Sequence, residues 1–315
     1  MGPSLIPALQ KLEESNRVLV VGCGGGFDVY AGIPIATRLL ASGKTVVLAN
    51  LSFAALPRSG AEKVLPSIWR IDRQCRDLPY FPEKWVSEWL ARRDLALPIY
   101  AFERSGPREL SAGYRQIISE HEVDLVLLID GGTDSVIFGD EPGLGTVVED
   151  AVSVVAASAA TEKFIMLASI GFGIDHFHGI SHHSFLQNTA HLIRDGGFLG
   201  TFSLTANTDE ANDLMDLVEH ANRRQPAHRS IVMNSIVSAM RGEFGDYHAT
   251  DRTSGSELFI NPLMAQYWFY SAHHLVRRMA YATELLEAQS WEEAQAIIER
   301  TSQAMTRRPR LPIPL

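Results

Sequence analysis

Three stretches of this chain concentrate the residue types that move protons, hold cations or cradle phosphates. The first is Gly22-Cys23-Gly24-Gly25-Gly26-Phe27-Asp28, a glycine-rich run directly after the apolar segment RVLVVG. Glycines there let backbone approach a ligand closely, and free N–H groups at a following helix start favour an anion. Gly24, Gly25, Gly26 and Asp28 are therefore candidate cofactor-binding residues. The spacing is not the dinucleotide fingerprint, since Phe27 stands where a third glycine would, and no Walker A sequence is present. A tight strand-to-helix turn explains the glycines equally well, and Asp28 would then cap the helix. Cys23, near that helix start, is a possible nucleophile if its thiolate is stabilised there.

The second stretch is Asp130-Gly131-Gly132-Thr133-Asp134, closing the fully apolar run LVLLI. Two carboxylates on one loop can hold a divalent cation, bind ribose hydroxyls or act as acid and base. Asp130, Gly131, Gly132 and Thr133 join the ligand-binding candidates and Asp134 the catalytic ones. The alternative is an Asx-turn with a helix cap. Downstream, Thr146 and Glu149 fit a capping box, whereas Asp150 has no such explanation.

The third stretch follows Asp175. His176, His178, His182, His183 and His191 place five of the eleven histidines within one short segment. In extended geometry His-x-His points both rings to one face, a possible metal pair, and neutral imidazole is a general base near neutral pH. Asp175, His176, His178 and His182 are the catalytic candidates here. A polar loop with capping histidines is the plainer reading. A further polar segment, running from Asp246 through His248, Asp251, Arg252, Thr253, Ser254, Ser256 and Glu257 to Asn261, is a candidate lid over the glycine loops. Ser254 and Glu257 alternatively form a helix cap.

These stretches follow strands. Arg17–Gly22, Thr45–Asn50, Leu97–Ala101, Asp124–Asp130, Phe164–Ser169 and Phe198–Leu204 are short apolar runs. Amphipathic segments between them predict helices over 83–93, 107–120, 146–159, 184–194 and 208–223, with another through 36–41. This alternation predicts an α/β fold: a Rossmann-like, mostly parallel sheet with helices on both faces. Ligands in such sheets bind beyond the carboxyl ends of the strands, where the glycines and carboxylates gather. Residues 54–80 look irregular. The last third predicts helices over 230–241, 264–286 and 291–305, the second carrying Tyr267, Trp268, Phe269 and Tyr270 as core and offering an interface to a second copy. The tail RRPRLPIPL should be extended. The whole chain, 1–315, is expected to be one domain, softly divided into a sheet core over 1–225 and a mainly helical addition over 226–315.

Composition narrows the function. The 315 residues are 46% hydrophobic and 21% charged, within the globular range. No apolar run is long enough to span a membrane, and the opening residues lack the basic stretch and long apolar run of a signal peptide, so none is expected. Two cysteines cannot form a disulfide framework, so a cytoplasmic setting is expected. The net charge of −9 is unevenly placed: ten acids and no Lys or Arg lie between Arg115 and Lys163. A basic stripe for nucleic acid is absent. The acidic window is either a solvated face or part of a cation or polar-ligand site.

The blocks VGCGGGFDVYAG, YFPEKWVSEWLA, DGGTDSVIFGDEPGLGTVVEDA, GFGIDHFHGISHHSFLQNTAHLIRDGGFLGTFSL and DRTSGSELFINPL together resemble an uncharacterised prokaryotic domain family of roughly this chain's length. That resemblance implies a glycine-rich α/β fold and no particular activity. Locally, Gly24 to Pro34 is similar in glycine and proline spacing to the sirtuin NAD loop. It lacks the Asp-Phe-Arg, Q-N-x-D-x-L-H and zinc-binding C-x-x-C runs, so the likeness implies NAD or a nucleotide as a ligand, not deacylation. The expected function is an enzyme binding a nucleotide-like or phosphorylated small molecule at the carboxyl edge, for hydrolysis or group transfer by Asp and His acid–base chemistry. The alternatives are a metal-dependent hydrolase built on Asp134, Asp175, His176 and His178, and a non-catalytic ligand-binding or regulatory protein.

Overall fold

The computed structural model describes residues 4–313. A nine-stranded sheet organises it: β1 (Arg17–Gly22), β2 (Thr45–Leu51), β3 (Glu62–Leu65), β4 (Ile68–Ile71), β5 (Ile99–Phe102), β6 (Leu125–Asp130), β7 (Phe164–Ser169), β8 (Phe198–Ser203) and β11 (Gln266–Ser271). A separate two-residue pairing joins β9 (Gly245–Asp246) to β10 (Phe259–Ile260). The spatial order is β3-β4-β5-β2-β1-β6-β7-β11-β8. β5, β2, β1, β6 and β7 run parallel, with Val20 opposite Leu48 on one side and Leu127 on the other. β4 and β11 are antiparallel to their neighbours.

The helices are α1 (Pro7–Glu14), α2 (Asp28–Ala41), α3 (Pro82–Ala91), α4 (Pro107–Glu120), α5 (Val147–Ala160), α6 (His182–Arg194), α7 (Asp209–Arg224), α8 (Ile231–Met240), α9 (Ala272–Val276), α10 (Ala282–Leu285) and α11 (Trp291–Ala304). Pro82 and Pro107 open α3 and α4, where a missing N–H costs nothing. Ser181, Thr208, Ser230 and Ser290 cap α6, α7, α8 and α11. The central strands β1, β2, β5, β6 and β7 are buried on both faces, their side chains alternating between the two. Val18 and Val20 pack toward α2, α3, α7 and α8, while Leu19 and Val21 pack toward α4, α5 and α11. This is the α/β, Rossmann-like, mostly parallel architecture that the alternation predicts, with a helix at the C-terminal end.

Two expectations change. Residues 54–80 are not irregular, because they supply β3 and β4 and extend the sheet past β5. The helix expected over 264–286 does not exist. Gln266–Ser271 forms β11, hydrogen-bonded between β7 and β8, with Tyr267, Phe269 and Tyr270 fully buried; only the short α9 and α10 follow. Aromatic residues suit a pleated, buried strand, and pairing with strands far away in sequence overrides the local helical pattern. The aromatic run is core, as expected, but the interface inferred from that helix loses its basis. The tail, expected to be extended, has no regular secondary structure through Ile313, and its last two residues lie outside the described part. Arg308 anchors it by bonding Asp140, Glu141, Gln187 and Asn188 at 2.6–2.9 Å. Among the described residues, no helix is long and apolar enough to cross a membrane.

Candidate metal centre

The chain runs from β1 through α2 to β2 on one side, and later enters β6 on the other side of β1. The carboxyl ends of β1 and β6 therefore flank a topological switch point, where parallel sheets open a crevice. Five aspartates from five segments meet there. Asp28 begins α2, Asp130 ends β6, Asp134 lies in a 3-10 turn after it, Asp150 sits in the first turn of α5, and Asp175 lies in a 3-10 turn after β7. All five are buried.

Glycines bring them together. A Cβ on Gly24 would lie 2.7 Å from Asp28 Oδ2 and 2.8 Å from both Asp150 oxygens. One on Gly132 would meet Asp175, Asp130 and Asp134 oxygens at 2.8, 3.0 and 3.3 Å. The space a side chain would fill is occupied by carboxylates. One oxygen each from Asp28, Asp130 and Asp150 lies within 4.8 Å of the others, a spacing that suits shared ligation of one ion.

The carboxylates are held in place, but not neutralised. Asp175 accepts from the Thr133 N–H (2.6 Å) and hydroxyl (3.1 Å). Asp130 accepts from the Ser135 N–H and hydroxyl. Asp134 accepts from the Thr146 N–H (2.9 Å) and hydroxyl (2.8 Å). Asp28 Oδ2 is buried with no hydrogen-bond partner among the described residues. No Lys, Arg or His among the described residues ion-pairs with any of the five. Burial, and then the neighbouring carboxylates, push Asp28, Asp130, Asp150 and Asp175 well above the ordinary carboxylate range. Cys23 donates to the Ile129 carbonyl (3.1 Å) and to Asp150 (3.4 Å). Burial and the same carboxylates push its thiol up, against the stabilised thiolate that the sequence left possible.

Above the carboxylates lies a cavity of about 640 Å³, with Asp28, Asp175 and His178 among its lining residues. Gly25, Gly26, Phe53, Tyr80, His228, Ser230, Arg252, Thr253 and Ser256 also line it. Arg252, Thr253, Ser256 and Glu257, from the segment expected to be a lid, line the same cavity as Gly25 and Gly26.

The sequence-predicted residues divide accordingly. Gly24, Asp28, Asp130, Gly131, Gly132, Thr133, Asp134 and Asp175 converge on the carboxylate centre. Gly25 and Gly26, at φ of +92° and +62°, turn the chain beside Phe53 and Tyr80. The histidines do not converge. Residues 174–178 form a 3-10 turn rather than an extended segment, so His176 and His178 do not share a face. His176 is exposed and accepts from Arg310 (3.2 Å), and its ring lies 5.2 Å from that of His182. Both line a different cavity, beneath residues 310–313 of the tail. A metal set of Asp134, Asp175, His176 and His178 is therefore not assembled.

Other readings also change. Asp28 caps nothing: Phe27 holds the N-cap position of α2 and makes no side-chain bond. The Thr146 hydroxyl serves Asp134 instead of completing a capping box. Ser254 bonds back to the Asp251 carbonyl and caps no α-helix. The acidic window is not simply a solvated face, because Asp130, Asp134, Glu141 and Asp150 are buried. Sequence reasoning left Asp150 unassigned and missed Tyr80 and His228. It also missed the buried Glu83, whose Oε1 accepts from Asn50 Nδ2 (2.7 Å) while the same amide donates to the Gly26 carbonyl (2.8 Å).

Comparison with known proteins adds a family. No curated protein matches the chain. A solved structure titled "The crystal structure of the zinc inhibited form of teicoplanin deacetylase Orf2" aligns with 80% of this chain and 97% of its own. At 12% identity and a TM-score of 0.34, that likeness carries no argument about function. Residues 59–306, well over half of the sequence, match the family described as "Protein of unknown function (DUF1152)", and the chain belongs to that family.

Proposed function

We propose that this protein is a divalent-cation-dependent enzyme. It would hold the cation on Asp28, Asp130 and Asp150 and carry out hydrolysis or group transfer on a small polar molecule in the adjoining cavity. One observation carries the reading: three buried carboxylates face one another without a basic partner, and Asp28 Oδ2 lacks any hydrogen bond. Buried like charges need protons or a cation, since an unpaired buried ion is strongly unfavourable. The donor set is oxygen only: among the described residues neither Cys23 nor a histidine is spaced for ligation together with these three carboxylates. Such a set favours magnesium, manganese or calcium over zinc.

A bound divalent cation polarises a substrate oxygen and makes a coordinated water more acidic. The chain's own residues divide the remaining work. Thr133 fixes Asp175 at the cavity wall, where its carboxylate can take or orient a proton. His178 is the histidine of the predicted cluster that reaches this cavity and is the candidate proton carrier. Phe53, Tyr80 and Phe177 give the cavity aromatic walls for the apolar part of a ligand. The phosphorylated or nucleotide-like ligands expected from the glycine loop fit this reading when a cation lies between phosphate and carboxylates.

Calorimetric titration of metal-stripped protein with Mg²⁺, Mn²⁺, Ca²⁺ and Zn²⁺ tests the reading, followed by turnover assays on phosphorylated and nucleotide compounds with the cation that binds best. Stoichiometric binding of a hard cation with turnover supports it. Binding without turnover on any compound favours a ligand-binding protein. No binding by a hard cation contradicts the metal centre.

A further inference from the structure

The cavity has a wall opposite in character to its acidic floor. Arg252 lines it, and no carboxylate among the described residues lies within ion-pair distance of its guanidinium, which donates one bond to the Arg229 carbonyl (2.8 Å). The N-terminus of α8 opens onto the same space. Ser230 caps the helix by accepting from the Met233 N–H (3.1 Å), and Ser230, Ile231 and Val232 all line the cavity. The N–H groups of Ile231 and Val232, in the first helical turn, find no acceptor within the helix. His228 stands beside them against Tyr80, their ring centroids 6.0 Å apart. Glu257 is the carboxylate on this side. Floor and wall are close: a Cβ on Gly131 would lie 2.8 Å from Asp28 Oδ1 and 3.5 Å from Val232 Cγ1.

The glycine loop, by contrast, is poorly placed to take the anion expected there. The N–H groups of Cys23, Gly26 and Asp28 already donate to the carbonyls of Ile129, Leu51 and Gly25. The helix that follows begins with a carboxylate.

We propose that the first turn of α8 and Arg252 form the cradle for a phosphoryl group of the substrate, opposite the carboxylate-held cation. A helix N-terminus offers N–H groups and a partial positive charge, and guanidinium matches phosphate oxygens. Buried and unpartnered, Asp28 Oδ2 marks the opposite side as a cation position. A tetrahedral phosphoryl group presents oxygens to cation, helix and guanidinium at once, which a planar carboxylate does less well. The inference rests on the cation reading, because without a cation Asp28 and Asp175 would repel the anion.

The test is linkage. Mn²⁺ is titrated into the metal-stripped full-length protein alone and with inorganic phosphate, phenyl phosphate or acetate. Phosphate or phenyl phosphate should tighten Mn²⁺ by at least about five-fold, the lower end of ordinary coupling between sites, and acetate should not. A response to inorganic phosphate places the free anion here, whereas a response confined to phenyl phosphate places a phosphate monoester. Arg252→Gln should retain Mn²⁺ binding and lose the tightening. Ile231→Pro removes one N–H at a position where proline suits a helix, and Ser230, at φ −66° and ψ 124°, already has the backbone that a following proline requires. It should weaken the tightening in the same way. Mn²⁺ binding unchanged by every anion overturns the cradle and leaves the cation site standing. Absence of Mn²⁺ binding overturns both. Tightening that survives both substitutions, or that acetate matches, overturns the assignment.

Discussion

Raising the pH should destabilise the cation-free protein, and a bound cation should remove that dependence. Asp28, Asp130, Asp150 and Asp175 are all held above their ordinary value of 3.8. In the unfolded chain they lose their protons near that value, and in the fold they keep them to higher pH. Where the native state binds more protons, stability falls as pH rises. The window from about pH 7.5 to about pH 8.5 is the one to read, because ordinary carboxylates and histidines have largely finished titrating below it, while Glu83, raised to about 7, and the raised Cys23 and Cys75 add slope of the same sign. His220, whose pKa burial lowers to about 4, adds a slope of opposite sign only below that window, where an unfolded histidine is still partly protonated, and the lowered Asp77, Asp195 and Asp216 contribute none there. Each proton retained on the cluster gives a slope of about 1.4 kcal/mol per pH unit, so two retained protons give about 3. Urea unfolding across that window, with EDTA and with saturating Mn²⁺, reads it directly. Stability that is flat or rises with pH in EDTA would refute the reasoning, as would a slope that Mn²⁺ leaves unchanged.

Other substitutions probe separate parts. Glu83→Gln should stabilise the protein by up to about 3 kcal/mol near pH 8 and change little near pH 5, because burial raises Glu83 from 4.5 to about 7 and its ionised form is disfavoured above that. Denaturant titrations at the two pH values check this, and the variant also removes the Glu83 contribution from the slope above. Gly24→Ala should abolish Mn²⁺ binding without backbone strain: its φ is not positive, and the methyl would enter the space between Asp28 and Asp150. Calorimetry and circular dichroism together separate lost binding from lost folding. Arg308→Ala should cost about 3 kcal/mol, the low end for breaking a buried ion pair, since buried Glu141 still accepts from Phe138, Gly139 and Asn188. The unfolding midpoint in urea is the readout.

The sheet was legible because β1, β2, β6 and β7 are continuous apolar runs, which only a strand buried on both faces requires. The carboxyl-edge rule then pointed to the loops at 22–28 and 130–134 without any structure. Asp150 was not legible as part of the centre, since an acid in the first turn of a helix also looks like complement to its dipole. The histidines misled because proximity in sequence is not proximity in space. A 3-10 turn at 174–178 sends His178 to one cavity and His176 to another. β11 was misread for a related reason: nothing local in QYWFYS announces that its partners are Ser169 and Thr201. Arg252 and the start of α8 belonged to a recognisable polar segment and a recognisable helix, but only the fold brings them to the cavity that Asp28 also lines.

The most direct measurement is a crystal structure of the protein soaked in Mn²⁺, with anomalous scattering recorded at the manganese edge. The account predicts one strong anomalous peak between the carboxylates of Asp28, Asp130 and Asp150, at about 2.1–2.6 Å from their oxygens, as for a hard cation, and its loss in Asp28→Asn. A peak elsewhere, or a cluster that stays protonated and empty of metal at neutral pH in saturating Mn²⁺, would contradict it.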